Sequence, residues 1–451
     1  MEHEYRFSGY ALFWWACLLL VLAGPAAAEP TRNLTILTSF PPRFYTPFVE
    51  QFERLYPSIQ VSVLNKKTTA ALDEIHRGNA RNLDIFWSSS ADAFDLLKSE
   101  QALQKTVHRR DFPLVSINNI KLDDPDGFFY GFALSGVGWM WNNQYLRKES
   151  LPIPQRWSDL TRPIYYGHLA MSTPARSGTT HMIVENFLQE LGWEQGWQQL
   201  LLLSGNFATV TARSFSVPEG ISSGRFGIGL VIDFLALARQ SDNIRFRYGA
   251  PVFPVPASIA RLKGGRNERE ADLFMDFILS LDGQRILLQP DISRLPVAEE
   301  LFPPAGARTS NLLELLGHQQ VRAFAVTLSR QRYHLVNELF DRMITFKLRE
   351  RRTLWRRLIE LEKNWQRDHQ QLQSLKQKVL ALLVALPVTA AQSRDPAFIA
   401  GLGLEQDGES SQADHRATIH RWDAFIEQNL AQAKTLLEAA ENTPQQQADR
   451  P

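Results

Sequence analysis

Met171-Ser172-Thr173-Pro174-Ala175-Arg176-Ser177-Gly178-Thr179-Thr180-His181 is the stretch on which the reading of the fold turns. A short apolar strand over 167–171 leads into it, and an apolar-periodic helix running on to residue 193 follows it. Between them lies a loop rich in hydroxyls and glycine. A strand, such a loop and a helix together aim free backbone N–H groups, side-chain hydroxyls and the positive end of a helix dipole at one point. That point suits an anion, phosphate above all.

Upstream, the same strand–loop–helix order occurs three times. Residues 33–38 (NLTILT) alternate as a strand, and Phe44, Phe48, Phe52 and Leu55 after it keep helical spacing. Residues 59–64 (IQVSVL) and 83–87 form two further strands, each followed by a helical stretch. Repeated strand–helix units predict a mostly parallel sheet covered on both faces. Ligands of such sheets sit beyond the carboxyl ends of the strands. Here those ends are Thr38-Ser39, residues 65–69 and Ser88-Ser89-Ser90, all rich in hydroxyls or amides.

Residues 101–128 read as irregular and exposed. Residues 130–141 (YGFALSGVGWMW) read as an apolar strand passing between two lobes, and 244–256 (IRFRYGAPVFPVP) as the return crossing. The second block, built around the quoted loop, has further strands at 207–211 and 226–232, the latter ending at Asp233. Two lobes joined by two crossings form a hinged cleft, a geometry for enclosing a solute. The predicted fold class is α/β, two-lobed, with a C-terminal helical hairpin. Residues 29–134 and 250–306 form lobe 1, 135–249 lobe 2, and 307–441 the helical region. In that region Leu358 to Leu386 keeps a 3–4 spacing up to Pro387, and Ile419 to Leu437 provides a second seam. The basic run 347–357 reads as a solvated helix face, and 442–451 as a disordered tail.

Residues 1–28 read as a secretory signal: a polar start, the short apolar core ALFWWACLLLVLAG and the small residues Ala26-Ala27-Ala28. The apolar core is too short to span a bilayer. The expected address is the periplasm. The single cysteine, Cys17, falls inside this segment, so neither disulfides nor thiolate metal sites are expected after it. A formal charge of +1 implies no broad basic surface for nucleic acid. HExxH, CxxC and P-loop patterns do not occur, and no metal, cofactor or catalytic residue is expected.

Trp157-Ser158-Asp159-Leu160, the strand 167–171 with Pro174, Ser177-Gly178-Thr179, Gly192 with Gly196-Trp197, Gly227-Ile228-Gly229 with Asp233, and Ser280 to Gln284 follow one another in an order that resembles a known family. It is that of the type II periplasmic solute-binding proteins of ABC importers, in the branch with ferric-ion, phosphonate and phosphorylated-solute binders. Thr38-Ser39-Phe40-Pro41, LNKKTTA (64–70) and DIFWSSSADAF (84–94) look most like the phosphoglycerate transport regulatory proteins within it. The resemblance covers roughly residues 33–297 and implies two α/β lobes, one solute in the cleft, and delivery to an ABC permease or a sensor kinase. It departs from the ferric-ion binders in one respect. Their adjacent tyrosines belong later in the second lobe, whereas Tyr165-Tyr166 precedes the strand here.

The expected ligand-binding residues are Ser39, Ser88, Ser89 and Ser90 from one side and Thr173, Arg176, Ser177, Gly178, Thr179, Thr180, Arg213 and Asp233 from the other. Ser177 to Thr180 can serve equally as a helix cap, since capping and anion binding share one geometry. Ser39 and Ser88 to Ser90 can be turn residues. Asn65 to Thr68 can be cleft rim or cap, and Arg43 is a weaker candidate. Asp233 can accept from a solute or pair with an arginine. His181, four residues after Ser177, admits a hydrolase reading but has no third partner in sight. The expected ligand is therefore a small anionic, phosphorylated or phosphonate-type solute. Ferric ion or a polyamine is the alternative cargo, and a scaffold role for the helical region is a further one.

Overall fold

The computed structural model describes residues 32–114, 120, 122–302, 310–318, 324–366, 368–403 and 409–442. The expected signal segment and nearly all of the expected disordered tail lie outside the described residues. The strands are β1 (Arg32–Thr38), β2 (Ile59–Asn65), β3 (Ile85–Ser88), β4 (Tyr130–Asn142), β5 (Leu169–Ser172), β6 (Phe207–Thr211), β7 (Ile228–Ile232), β8 (Ile244–Tyr248), β9 (Pro254–Arg261) and β10 (Leu295–Pro296). Their order is β2-β1-β3-β9-β4-β7-β5-β6, with β8 and β10 also paired to β4.

β4 joins the two halves of this sheet. Its segment Tyr130–Gly136 pairs antiparallel with β9, whereas Val137–Trp141 pairs antiparallel with β7. Flanked along its length, β4 is buried at all 13 positions, which is why it reads as an almost unbroken apolar run. In the first half β1 lies between β2 and β3, parallel to both; in the second β5 lies between β6 and β7, parallel to both. The chain returns from β8 to β9 through residues 249–253, within the stretch expected to cross.

Helix Pro42–Leu55 starts with proline, whose missing N–H costs nothing in the first turn. Its Phe44, Phe48 and Phe52 recur every fourth residue and are all buried. Phe48 meets Trp87 of β3 edge to face, with ring centroids 5.3 Å apart. Burying each such side chain contributes about 1.5–3 kcal/mol. Helix Gly178–Leu191 is capped by Ser177, whose Oγ accepts from the Thr180 N–H at 3.2 Å. It stops at Gly192, whose φ of 86° lies in the region glycine tolerates best.

Three expectations need correction. Residues 101–114 are irregular but not simply exposed: Leu103 and Phe112 are buried, and Leu103 bridges to Leu262 beside β9. The first arm of the helical hairpin is two helices, Leu348–Asn364 and His369–Leu383. Between them Trp365 Nε1 donates to Asp368 O at 3.0 Å, and the Asp368 carboxylate caps the Gln370 N–H at 2.9 Å. With helix Glu409–Asn442 they run up, down and up. Lys347 pairs with Glu427 and Arg357 with Glu441 along the parallel helices, and Lys376 with Glu362 across the reversal.

The basic run 347–357 is therefore solvated on one side only, where Arg349 and Arg356 are exposed. Arg351 is buried and donates to Ser204 Oγ at 3.3 Å, and Trp355 Nε1 donates to Asn206 Oδ1 at 2.8 Å. A Cβ on Gly205 would sit 2.7 Å from the Trp355 ring, so glycine is what lets this helix dock on the second half. Two shorter helices, Val326–Gln331 and Tyr333–Phe340, lie beside the seam between the halves of the sheet.

Candidate functional site

The carboxyl ends of β1, β2 and β3 meet those of β5, β6 and β7 along this seam. Ser39 Oγ and Ser88 Oγ are hydrogen-bonded at 3.0 Å. Asn65 Nδ2 donates to Phe40 O, and Asn65 Oδ1 accepts from Arg213 Nη2 at 2.9 Å, which links the halves. Two more bonds cross the seam. The Gly178 N–H donates to Thr68 Oγ1 at 2.9 Å, and Thr69 Oγ1 donates to Ala175 O at 2.5 Å. A Cβ on Gly178 would stand 2.5 Å from the Ser90 side chain, so the halves touch at this glycine.

Lys67, Arg176 and Arg213 converge at the edge of these contacts. Burial first, then the positive charges of Arg176 and Arg213, hold the Lys67 ammonium below the usual lysine range. Burial likewise lowers Arg213, which stacks over Phe215 at 4.9 Å. Three cations drawn from both halves thus face one region.

The other expected residues are placed differently. Ser177 is spent as a helix cap, and Thr180 Oγ1 is bonded to Ser172 Oγ. Thr173 Oγ1 donates to Asp341 Oδ1 at 2.6 Å, and Ser90 Oγ to Asp92 Oδ1 at 2.8 Å. Ser89 Oγ is buried with no hydrogen-bond partner among the described residues. Thr179 is half-buried.

Asp92 opens a buried network that sequence reasoning missed. Its Oδ2 lies 2.8 Å from His181 Nε2 and accepts from Ser329 Oγ at 2.9 Å, while His181 Nδ1 is 2.8 Å from Asn337 Oδ1. One helical turn on, Glu185 Oε1 meets Arg332 Nη2 at 2.6 Å. Burial opposes charge on both members of the first pair. The mutual attraction nevertheless keeps His181 above the usual histidine range and Asp92 below the usual aspartate range. Both imidazole nitrogens are engaged, so neither serves Ser177 as a base.

Asp233 is buried on the opposite flank. It accepts from the Gly136 N–H at 2.8 Å and the Tyr248 hydroxyl at 2.9 Å, and burial pushes its pKa to about 6. The nearby cation is Arg294, also missed in the sequence. Arg294 is fully buried among Phe40, Phe44, Phe132 and Phe234, its guanidinium carbon 4.6–5.7 Å from the ring centroids. A cavity of about 190 Å³ adjoins Phe44 and Phe234, lined also by Pro41, Phe215 and Leu235, with Arg43 and Arg239 among its charged residues. The only sequence signal for Arg294 is a charged residue set directly before the apolar Leu295-Pro296.

The adjacent tyrosines lie elsewhere: the Tyr165 hydroxyl donates to Pro152 O at 3.0 Å, and Tyr166 packs under Arg352. Among the described residues no three His, Cys, Asp or Glu side chains are grouped to hold a metal ion, and no helix is long and apolar enough to cross a membrane.

Residues 80–306 match the family described as bacterial extracellular solute-binding protein. The chain is 32% identical over 382 residues to the phosphoglycerate transport regulatory protein PgtC of Salmonella typhimurium, covering 82% of this chain and 89% of that one. The periplasmic binding protein AfuA from Actinobacillus pleuropneumoniae, solved with fructose-6-phosphate bound, superposes with a TM-score of 0.61 at 18% identity, over 68% of this chain and 98% of that one. Iron-bound HitA from Pseudomonas aeruginosa does so with a TM-score of 0.52 at 19% identity, over 63% and 92%. At such identities the two structures speak for the fold alone.

Proposed function

The chain belongs to the bacterial extracellular solute-binding proteins, and from that premise we propose that it captures a small phosphorylated organic anion between its two lobes. Residues 29–134 and 250–306 form one lobe in this reading and 135–249 the other, and the segment 1–28 exports the chain to the periplasm. The observation that carries the proposal is the convergence of Lys67, Arg176 and Arg213 from both lobes. Like charges held together raise the energy of the empty site, and a dianion lowers it. Each charge-assisted bond contributes about 1.5–3 kcal/mol. Several of them reach the roughly 8 kcal/mol of micromolar binding.

PgtC, by its name, acts in phosphoglycerate transport regulation, and the AfuA structure holds a sugar phosphate; both support a phosphorylated cargo. Binding without turnover fits a His181 whose ring nitrogens are both occupied. The loaded protein then engages an ABC permease or a sensor kinase domain, and closure supplies the surface that either partner recognises.

A thermal-shift and calorimetry panel of phosphoglycerates, sugar phosphates, phosphonates, ferric ion and polyamines tests the proposal. At least one phosphorylated compound should bind with micromolar affinity, and Arg213→Ala should weaken it about tenfold or more. Stabilisation by ferric ion or a polyamine, with no phosphorylated compound acting, would overturn it.

A further inference from the structure

The cavity of about 190 Å³ lies between the halves of the sheet, and its walls stand at the same strand ends as the cationic trio. Pro41 and Phe44 follow β1, Phe215 follows β6, and Phe234, Leu235 and Ala238 follow β7. Lys67 follows β2, which pairs with β1 so that Thr38 stands opposite Asn65. Adjacent strands lie about 4.8 Å apart. Arg213 is closer still. It follows β6 as Phe215 does, and its guanidinium carbon stands 4.9 Å from the centre of the Phe215 ring. Arg213 Nη2 also donates to Asn65 Oδ1 at 2.9 Å, and Asn65 Nδ2 holds the carbonyl of Phe40, the residue before Pro41. One aromatic ring separates the cavity from Arg213.

The two neighbours differ in chemistry. Among the described residues no hydroxyl, amide or imidazole side chain lines the cavity. Its charged side chains are answered within their own half, Arg43 by Asp291 at 3.0 Å and Arg239 by Glu219 at 3.7 Å. Backbone donors are scarce as well. Pro41 and Pro42 have no N–H, the Phe44 N–H donates to Pro41 O at 2.9 Å, and the Phe234 N–H to Asp233 Oδ1 at 2.6 Å. A polyol placed here would give up bonds to water and regain few of them. An apolar body leaves water at a gain. The volume sets its size, since an apolar cavity of about 150 Å³ accepts a benzene ring. Phe44, Phe215 and Phe234 supply the aromatic surface against which such a ring packs.

We infer that this cavity is the subsite for the body of the solute, and that the body is an apolar group the size of a single ring, aromatic or branched aliphatic, carried on the phosphate that Lys67, Arg176 and Arg213 hold. Aryl and alkyl phosphate monoesters or phosphonates are then preferred. Sugar and polyol phosphates, whose hydroxyls the walls leave unpaired, are disfavoured. The class differs from the phosphoglycerate of PgtC's name, whose body is polar. This inference rests on the anion-binding reading above and specifies the rest of the bound molecule.

The test is calorimetric titration of the full chain with phenyl phosphate and with glycerol 3-phosphate, for the native protein, Ala238→Phe and Arg213→Ala. The native protein should bind phenyl phosphate about 10- to 100-fold more tightly than glycerol 3-phosphate. Ala238→Phe, whose added ring occupies the cavity, should bring that ratio to near one. Arg213→Ala should weaken both compounds and leave the ratio standing. Equal native affinities, tighter binding of glycerol 3-phosphate, or an unchanged ratio in Ala238→Phe would overturn the subsite while the anion site remains. The native ratio decides the matter even if Ala238→Phe fails to fold. Binding of neither compound would overturn the subsite too, and the anion-binding reading falls with it only if no phosphorylated compound of the wider panel binds.

Discussion

Asp92 meets His181 and Glu185 meets Arg332 on one flank of the seam; on the other, Lys67, Arg176 and Arg213 face one another and Arg294 meets only rings. Both flanks join the same two halves of the sheet. On the first, carboxylates from the helices after β3 and β5 are answered within the chain, and Ser329, Arg332 and Asn337 of the C-terminal region complete the set. On the second, no carboxylate among the described residues forms an ion pair with these cations, although Arg213 donates to Asn65 Oδ1. A matched buried pair fixes position, whereas an unmatched cation leaves free energy that only an arriving anion can lower.

The largest effect should come from unmatching the matched flank. Arg332→Ala leaves Glu185, whose side chain is 0% exposed, without its counterion. Removing one partner of a buried pair costs about 3–5 kcal/mol. Denaturant unfolding should register that loss. Joining Arg332→Met to Glu185→Leu should recover much of it, since the remaining cost is then packing alone. A loss below about 1 kcal/mol for the single change would mean that this flank does not hold the lobes.

Gly178→Ala tests the contact between the flanks. The new methyl would stand 2.5 Å from the Ser90 side chain and 3.1 Å from Thr68 Oγ1, both across the seam. Overpacking of this kind costs about 1–3 kcal/mol. The lobes can relieve it by parting, so small-angle scattering of the solute-free variant should report a larger radius of gyration. An unchanged radius with unchanged stability would place the contact outside the solution structure.

Much of this arrangement was legible in the sequence because it is local. Each strand announces its own end, so Ser39, Asn65 and Ser88 could be placed at strand ends from period and turn signals alone. β4 was legible because a strand buried on both faces and in both halves carries no polar alternation. The Asp92–His181 pair was not, because 89 positions separate its members and a lone histidine on a helix reads as packing or solvated. Arg294 gave no more than a charge set directly before the apolar Leu295-Pro296. The turn between Asn364 and His369 escaped notice because a 3–4 apolar spacing records which face is buried and not which way the chain runs. The basic run 347–357 misled for a related reason: charge shows that a face is polar, not whether water or Glu427 and Glu441 answer it.

The pH dependence of stability separates the flanks by pH window. His181 titrates above its unfolded value near 6.5, so its contribution is complete below that pH and is lost as pH rises through the raised value. Asp92 is lowered, so its contribution is present above about pH 3.9 and is lost as pH falls through the lowered value. The pair therefore stabilises most between about pH 4 and 6.5. Asp233, raised to about 6, gives a contribution present below the unfolded value and lost as pH rises through about 6. Denaturant midpoints from pH 5 to 9 should decline on the alkaline side. His181→Gln should flatten the part of that decline above about pH 6.5 while leaving the earlier part due to Asp233.

The smallest effect on stability, and the sharpest on the comparison, belongs to Lys67→Met. Removing a charge from the matched flank destabilises, but here the removed charge is repelled by Arg176 and Arg213. Stability should therefore stay within about 0.5 kcal/mol of the native value, with the change on the favourable side at low salt. Affinity for a phosphorylated solute should fall in the same variant, and the salt dependence of binding should weaken because one fewer cation attracts the anion. One substitution thus moves folding and binding in opposite directions. Loss of stability together with loss of binding would mean that Lys67 is answered within the chain after all, and the two flanks would no longer differ in kind.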